Sequence, residues 1–74
     1  MKIGIVGCAG RMGRMLVAEI LTGGRAKLVG GTEHGESAFL GQDIAGLAGL
    51  DEAGIVIGSD TDALFSAADV VIDF

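Results

Sequence analysis

The sequence predicts an α/β fold in which an open, parallel β-sheet is covered by helices on both faces. Short runs of β-branched residues alternate along the chain with segments of helical period. The first strand, helix and strand follow one another within about 30 residues, which is the length of a βαβ unit. Such a unit makes its two strands parallel and its crossover right-handed.

The first strand is predicted over residues 2–6, where a short β-branched run ends at Gly7. The period then becomes helical from residue 11 to residue 21. The apolar half of this helix carries Met12, Leu16, Val17, Ile20 and Leu21. Arg14 falls on the polar half and is expected to be a solvated surface charge.

Gly13 lies near the middle of the apolar half, where a glycine costs about 1 kcal/mol of helix propensity. We interpret it as a point where the helix packs very close to the preceding strand. Met12 and Met15 are interpreted as packing residues. The pair Gly23-Gly24 is expected to end the helix.

Three further strands are predicted over residues 27–32, 55–58 and 69–74. Residues 34–54 have no clear period and predict a loop with a short helical turn near 43–48. A cluster of capping residues that includes Asp60 and Asp62 predicts a short helix through about residue 67. All strands should be parallel, in the order 3-2-1-4. Because the last strand would need neighbours, we expect the front of a longer protein, a complete small protein being the alternative.

Composition excludes several classes of protein. No apolar run is long enough to span a bilayer, and the N-terminus lacks the features of a signal peptide. The single cysteine, Cys8, excludes a disulfide framework and a cysteine-cluster metal site, so a reducing cytoplasm is expected. The formal net charge is −5, which makes nucleic acid and anionic membranes poor candidate partners.

The charges are also unevenly distributed. All five basic residues lie in the first 27 positions, whereas nine of the ten acidic residues lie from Glu33 onward. The N-terminal third is therefore suited to a small anion such as a nucleotide diphosphate.

Residues 7–13, GCAGRMG, form the pattern G-x-x-G-x-x-G directly after the first strand and at the start of the first helix. Gly7 would allow a tight exit from the strand, Gly10 a close approach of the backbone to a pyrophosphate, and Gly13 close helix packing. The helix N-terminus adds unpaired N–H groups and partial positive charge. This context predicts a Rossmann-like dinucleotide-binding domain; a structural glycine turn without a ligand is the alternative.

Glu33 directly follows the second strand and lies 20 residues after Gly13. A carboxylate at this position accepts hydrogen bonds from the adenosine ribose hydroxyls in dinucleotide-binding folds. The alternative is a solvated acid at the end of a strand. Because a carboxylate repels a 2′-phosphate, the position favours NAD(H) over NADP(H).

Residues 3–14, IGIVGCAGRMGR, closely resemble the N-terminus of the 4-hydroxy-tetrahydrodipicolinate reductase (dihydrodipicolinate reductase) family of bacterial lysine and diaminopimelate biosynthesis. The Gly-Arg-Met-Gly core of residues 10–13 is the most specific part. Further matches are Glu33 and residues 40–49 and 70–74. The resemblance covers essentially the whole chain, and implies that residues 1–74 are the N-terminal part of a dinucleotide-binding domain, without the family's substrate and catalytic domain.

The resemblance implies a reductase that transfers hydride from NADH or NADPH to a cyclic, unsaturated dicarboxylate. It also implies that Glu33 binds the adenosine ribose and that the glycine-rich loop after the first strand holds the cofactor phosphates. The loop residues concerned are Gly7, Cys8, Ala9, Gly10, Arg11 and Met12. Many family members carry an arginine after this glutamate, to meet the 2′-phosphate of NADPH. This chain has His34 there, which again favours NADH, with NADPH use left open because Arg11 remains.

The family's His-His-x-x-Lys catalytic segment lies downstream of these residues, as does the second domain through which the family assembles into homo-oligomers. The sequence therefore identifies no catalytic residue, and residues 1–74 alone are expected to bind a dinucleotide weakly without turnover. A non-catalytic module that senses NAD(H) is an alternative function. Another nicotinamide enzyme, such as an amino-acid or semialdehyde dehydrogenase, is a third.

Two side chains near the proposed phosphate site have open roles. Cys8 is interpreted as a small apolar filler beneath the loop, with a reactive thiol as the alternative. For Arg11, phosphate binding and the role of a solvated surface charge are equally open. Asp73 lies near the edge of the sheet where ligands bind, so a contact role is open for it as well.

Overall fold

Three parallel strands and three helices make up the fold of residues 1–74, all of which the computed structural model describes. Their order is β1 (Lys2–Val6), α1 (Arg11–Gly23), β2 (Lys27–Thr32), α2 (Ile44–Leu47), α3 (Thr61–Ala67) and β3 (Val70–Asp73). The strands form one sheet in the order β2-β1-β3, with both pairs parallel. The predicted Rossmann-like α/β architecture is confirmed.

The helices cover both faces of the sheet. A shift in register between Ile3 and Gly4 brings Gly4 opposite Gly30. A Cβ on either glycine would lie within 3 Å of Leu64 in α3. The next residue of β1, Ile5, packs with the buried side chains of α1. Because successive residues of a strand point to opposite faces, α1 and α3 lie on opposite sides of the sheet.

The hydrophobic core lies mainly on the α1 face. Its members are Ile5, Cys8, Val17, Ile20, Leu28, Ile44 and Ile57. The buried stripe of α1 runs along Gly13, Val17 and Ile20. Met12 and Met15 flank this stripe and are 56% and 62% exposed, so the prediction that they pack inside is wrong. With Phe74 they form an apolar surface beside the β3 edge.

Residues 55–58 are extended, but they do not form the predicted strand. Gly58 makes one parallel bridge to Thr32, and Val56 makes an antiparallel bridge to Asp43. Most of the segment's main-chain hydrogen bonds go to residues 41–44 rather than to β2. The main-chain donors and acceptors of residues 55–58 are thus divided between two partners. The predicted four-stranded sheet, with strand order 3-2-1-4, is therefore replaced by a three-stranded sheet, and residues 55–58 lie alongside β2.

The remaining boundaries agree with the sequence pattern. Helix α1 ends at Gly23, and Gly24 adopts a left-handed conformation with φ of 70°. The side chain of Asp60 accepts a hydrogen bond from the Ala63 N–H and caps α3, while Asp62 lies in the first turn. No helix has the length and apolar character needed to cross a membrane.

Asp43 stabilises the chain segment between the end of β2 and residue 55. Its carboxylate accepts hydrogen bonds from the N–H groups of Ala53, Ala45 and Gly54 at 2.8–3.1 Å. These bonds, that of Ala53 foremost, lower the pKa of Asp43 below its usual value. This segment places Ile44 over Gly31 of β2, and so it covers one side of the core.

The two helical glycines of α1 should respond to alanine in opposite ways. A Cβ on Gly13 would collide with the Gly7 carbonyl oxygen and lie 2.8 Å from the Cys8 Cα, whereas a Cβ on Gly23 meets nothing within 4 Å. We expect Gly13→Ala to lower the free energy of unfolding by about 2 kcal/mol. Gly23→Ala should raise it by up to about 1 kcal/mol. Urea denaturation measures both, and a Gly13→Ala protein as stable as wild type would contradict the close packing.

Candidate functional site

The candidate site lies at the carboxyl edge of the sheet, where the glycine-rich loop leaves β1. The chain goes to one side of β1 to form β2 and to the other side to form β3. Ligands of open α/β sheets bind in the crevice at such a change of direction. A cleft of about 310 Å³ opens there, lined by Val6, Gly7, Thr32, Glu33, His34, Ser59, Thr61 and Phe74.

The three glycines of the motif have different structural requirements. Gly7 has a φ of +83°, which disfavours any other residue. Gly13 has no room for a Cβ. Gly10, in contrast, has φ of −72° and ψ of 169°, which any residue adopts, and a Cβ there would lie 3.4 Å from the Gly7 oxygen. The fold therefore requires glycine at positions 7 and 13, but it leaves the surface above Gly10 open.

Most of the loop amides already have partners within the protein. Gly7 N and Cys8 N both donate to the Thr32 carbonyl oxygen, at 2.9 and 3.3 Å, and Gly10 N donates to the Gly7 oxygen at 3.2 Å. Ala9 N donates to Glu33 Oε2 at 2.8 Å. Residues 7–10 therefore use their main-chain amides within the protein, so the phosphate-binding role that the resemblance implies for these four residues does not rest on their amides.

The open donors lie in the first turn of α1. The first helical hydrogen bond runs from Arg14 N to the Gly10 oxygen at 2.9 Å, so the N–H groups of Arg11, Met12 and Gly13 precede it. Gly10 has no side chain with which to cap them. Unpaired amides at a helix N-terminus, together with the helix dipole, form an anion-binding position. The exposed side chain of Arg11 adds a positive charge beside it.

The structure brings Glu33 next to the loop, a contact that its spacing from Gly13 did not predict. Its main-chain N–H donates to the Gly58 oxygen at 2.9 Å, and its carboxylate joins the loop through Ala9. Only one of its two carboxylate oxygens is used in this contact. The exposed His34 follows it at the rim of the cleft.

Arg14 is not the solvated charge that the helical period predicts. Its Nε donates a hydrogen bond to the Ala9 carbonyl oxygen at 2.7 Å, and its guanidinium lies 5.0 Å from the centroid of the Phe39 ring. The helical wheel correctly excludes Arg14 from the core. It carries no information about the loop and residues 37–42, which fold over this half of the helix.

Cys8 fills the space between the loop and β2. Its side chain is 1% exposed, and its Sγ would lie 2.9 Å from a Cβ placed on Gly31. Burial, followed by the negative charge of Glu33, raises the pKa of the Cys8 thiol to about 11. Both effects oppose a reactive thiolate, so the structure supports the role of a filler.

The Cys8 thiol should be chemically silent in the folded protein. At about pH 8 we expect it to react with an aromatic disulfide reagent about a hundredfold more slowly than after unfolding in guanidinium chloride, because little thiolate is present. The absorbance of the released thiol measures both rates. Equal rates before and after unfolding would contradict the buried placement and restore the alternative of a reactive cysteine.

Comparison with known proteins assigns the chain to a family. Residues 1–74 match the family model described as "Dihydrodipicolinate reductase, N-terminus". Proteins named 4-hydroxy-tetrahydrodipicolinate reductase from Burkholderia vietnamiensis and Burkholderia ambifaria are 49% and 47% identical over 74 residues, which is 100% of this chain and 28% of each relative. A protein of the same name from Alkalilimnicola ehrlichii is 45% identical over 73 residues, which is 99% of this chain and 27% of that relative.

The chain thus spans a little over a quarter of the length of these curated relatives. Its similarity to them extends from the first strand to the last. Since the family model matches every residue, the chain belongs to the dihydrodipicolinate reductase family and corresponds to its N-terminus.

Proposed function

We propose that this chain is the dinucleotide-binding part of a reductase that transfers hydride from NADH or NADPH to 4-hydroxy-tetrahydrodipicolinate. One observation carries the proposal: the open amides of the first turn of α1 and the carboxylate of Glu33 converge on the carboxyl edge of the sheet, where the strand order changes direction. The names of the relatives supply the reaction. The substrate itself would be bound by parts of the protein outside residues 1–74.

The donors at the start of α1 fit a pyrophosphate. Two exposed residues, Arg11 and Met12, contribute N–H groups, and the open surface over Gly10 lets phosphate oxygens come close to the main chain. The helix dipole and the Arg11 side chain add positive charge to a chain whose net charge is −5. This local positive charge supports an anionic ligand at the start of α1.

Glu33 and His34 support a preference for NADH. With one carboxylate oxygen bonded to Ala9, the other is left to accept from a ribose hydroxyl. The negative charge of that carboxylate repels a 2′-phosphate, and the exposed His34 lacks the guanidinium with which an arginine would bind it through two hydrogen bonds. NADPH is therefore expected to bind more weakly than NADH.

The bound nicotinamide cofactor would supply the hydride, while this chain's own residues bind and orient it. The proton that completes the reduction would come from a group outside residues 1–74. We propose a cytoplasmic location, in which the free thiol of Cys8 would stay reduced. We also propose that the whole enzyme is a homo-oligomer.

Gly10→Val tests the pyrophosphate position. Because position 10 has an ordinary backbone conformation, the variant should keep its fold, with a thermal midpoint lowered slightly by the loss of the N-cap glycine, while its side chain fills the space above the loop. We expect its dissociation constant for NADH to rise at least about tenfold. NADH fluorescence measures binding, and Gly23→Ala, which lies at the far end of α1, is the matched control. Equal affinities of Gly10→Val and wild type for NADH would refute the assignment.

The preference for NADH can be measured by the same titration with NADPH. Wild type should bind NADH more tightly. Glu33→Gln should narrow the difference, because the amide has no charge yet its oxygen still accepts from the Ala9 N–H. Wild-type affinities that are the same for both cofactors would contradict the role given to Glu33 and His34.

A further inference from the structure

Ala9 is held at both of its main-chain polar groups by charged side chains. Its N–H donates to the Glu33 carboxylate at 2.8 Å, and its carbonyl oxygen accepts from Arg14 Nε at 2.7 Å. Glu33 comes from the end of β2 and Arg14 from α1, so the two elements that flank the loop both hold the same residue. Hydrogen bonds to ionised groups are about twice as strong as those between neutral groups.

We propose that Arg14 is a positioning residue that fixes the glycine-rich loop in the geometry needed for pyrophosphate binding. The inference rests on the proposed function and assigns a role within that site. Arg14 acts through the peptide plane between Ala9 and Gly10. The carbonyl oxygen of that plane accepts from Arg14, and its N–H donates to the Gly7 oxygen. Fixing the plane fixes Gly10, from which the first turn of α1 starts.

The loop needs such support because its own sequence provides little. Gly7, Gly10 and Gly13 have more conformational freedom than other residues, and Gly10 offers no capping side chain. Binding an anion to a disordered loop would cost the entropy of ordering it, and that cost would appear as weaker affinity. A loop that is ordered before the ligand arrives avoids this cost.

Arg14 is itself held in place. Its guanidinium lies over the ring of Phe39, which is partly buried and packs against the hydrophobic core. The Phe39 N–H donates to Ser37 Oγ at 3.1 Å, which anchors the aromatic residue in its turn. The side chain is therefore half-buried and confined on two sides, as a positioning role requires.

Direct attraction of phosphate by the charge of Arg14 is the competing explanation, and lysine separates the two. Lysine keeps the positive charge, but it has neither the planar group that lies over Phe39 nor an Nε–H at the same place. If Arg14 acts by position, Arg14→Lys should behave like Arg14→Met. If it acts by charge, Arg14→Lys should behave like wild type.

The experiment measures the affinities of wild type, Arg14→Lys and Arg14→Met for ADP, which contains the pyrophosphate, and for adenosine, which lacks it. Both variants should bind ADP about tenfold more weakly than wild type while their adenosine affinity stays unchanged. A general loss of folding would lower both affinities. Arg25→Lys, at an exposed arginine beyond the other end of α1, is the matched control and should change neither.

Hydrogen exchange of the Ala9 and Gly10 amides gives a readout that needs no ligand. Both amides are hydrogen-bonded in the folded protein, and both Arg14 variants should lose protection there. Phe39→Leu removes the aromatic ring but keeps the arginine at position 14, and it should lose part of the same protection. This variant provides the test if Arg14→Met does not fold. Full protection in the folded variants, or ADP affinity equal to wild type in Arg14→Lys, would overturn the proposal.

A failure of the proposed function would look different. Wild type would then bind neither ADP nor NADH, whereas the exchange of the Ala9 and Gly10 amides would still report on Arg14. Lost protection in the variants would support its hold on the loop, and unchanged protection would overturn it.

Discussion

The contact between the first turn of α1 and the loop that leaves β1 determines where everything else in the site lies. Gly13 meets the carbonyl oxygen of Gly7 and the main chain of Cys8 without an intervening side chain. This approach directs the positive end of α1 to the carboxyl edge of the sheet. It also leaves Cys8 buried beneath the loop, where its small side chain belongs to the core. A longer contact at this point would move the helix N-terminus away from the cleft.

The motif has two residues between its first two glycines, where G-x-G-x-x-G has one. Both of these residues, Cys8 and Ala9, have a structural role. Cys8 enters the core, and Ala9 links the loop to Glu33 and Arg14. Neither residue presents its amide to the outside. The main-chain N–H groups without a partner in the protein are those at the start of α1. In the proposed site, the loop would therefore act as a support, and the start of the helix would bind the anion.

Local patterns in the sequence predicted most of the fold but not the partners of individual segments. Periodicity located β1, β2, β3 and α1, but it did not predict the hydrogen bond between Glu33 and Ala9. It failed for residues 55–58, because a β-branched run cannot tell whether its hydrogen bonds go to β2 or to residues 41–44. It failed for Arg14 because a helical wheel describes a helix alone, and the contact with Phe39 joins segments 25 positions apart. Met12 and Met15 are apolar, yet they lie beside the buried stripe of α1 and are mostly exposed.

The contrast between the two glycines of α1 extends to the glycines of the rest of the chain. At Gly23, Gly35, Gly46 and Gly58 a Cβ meets nothing within 4 Å, whereas at Gly4, Gly13 and Gly31 it meets an atom closer than 3 Å. A side chain can therefore be introduced at the first group without displacing a neighbour, whereas at the second group the surrounding packing would have to change. The number of glycines in the chain thus overstates how many positions the fold requires to be glycine.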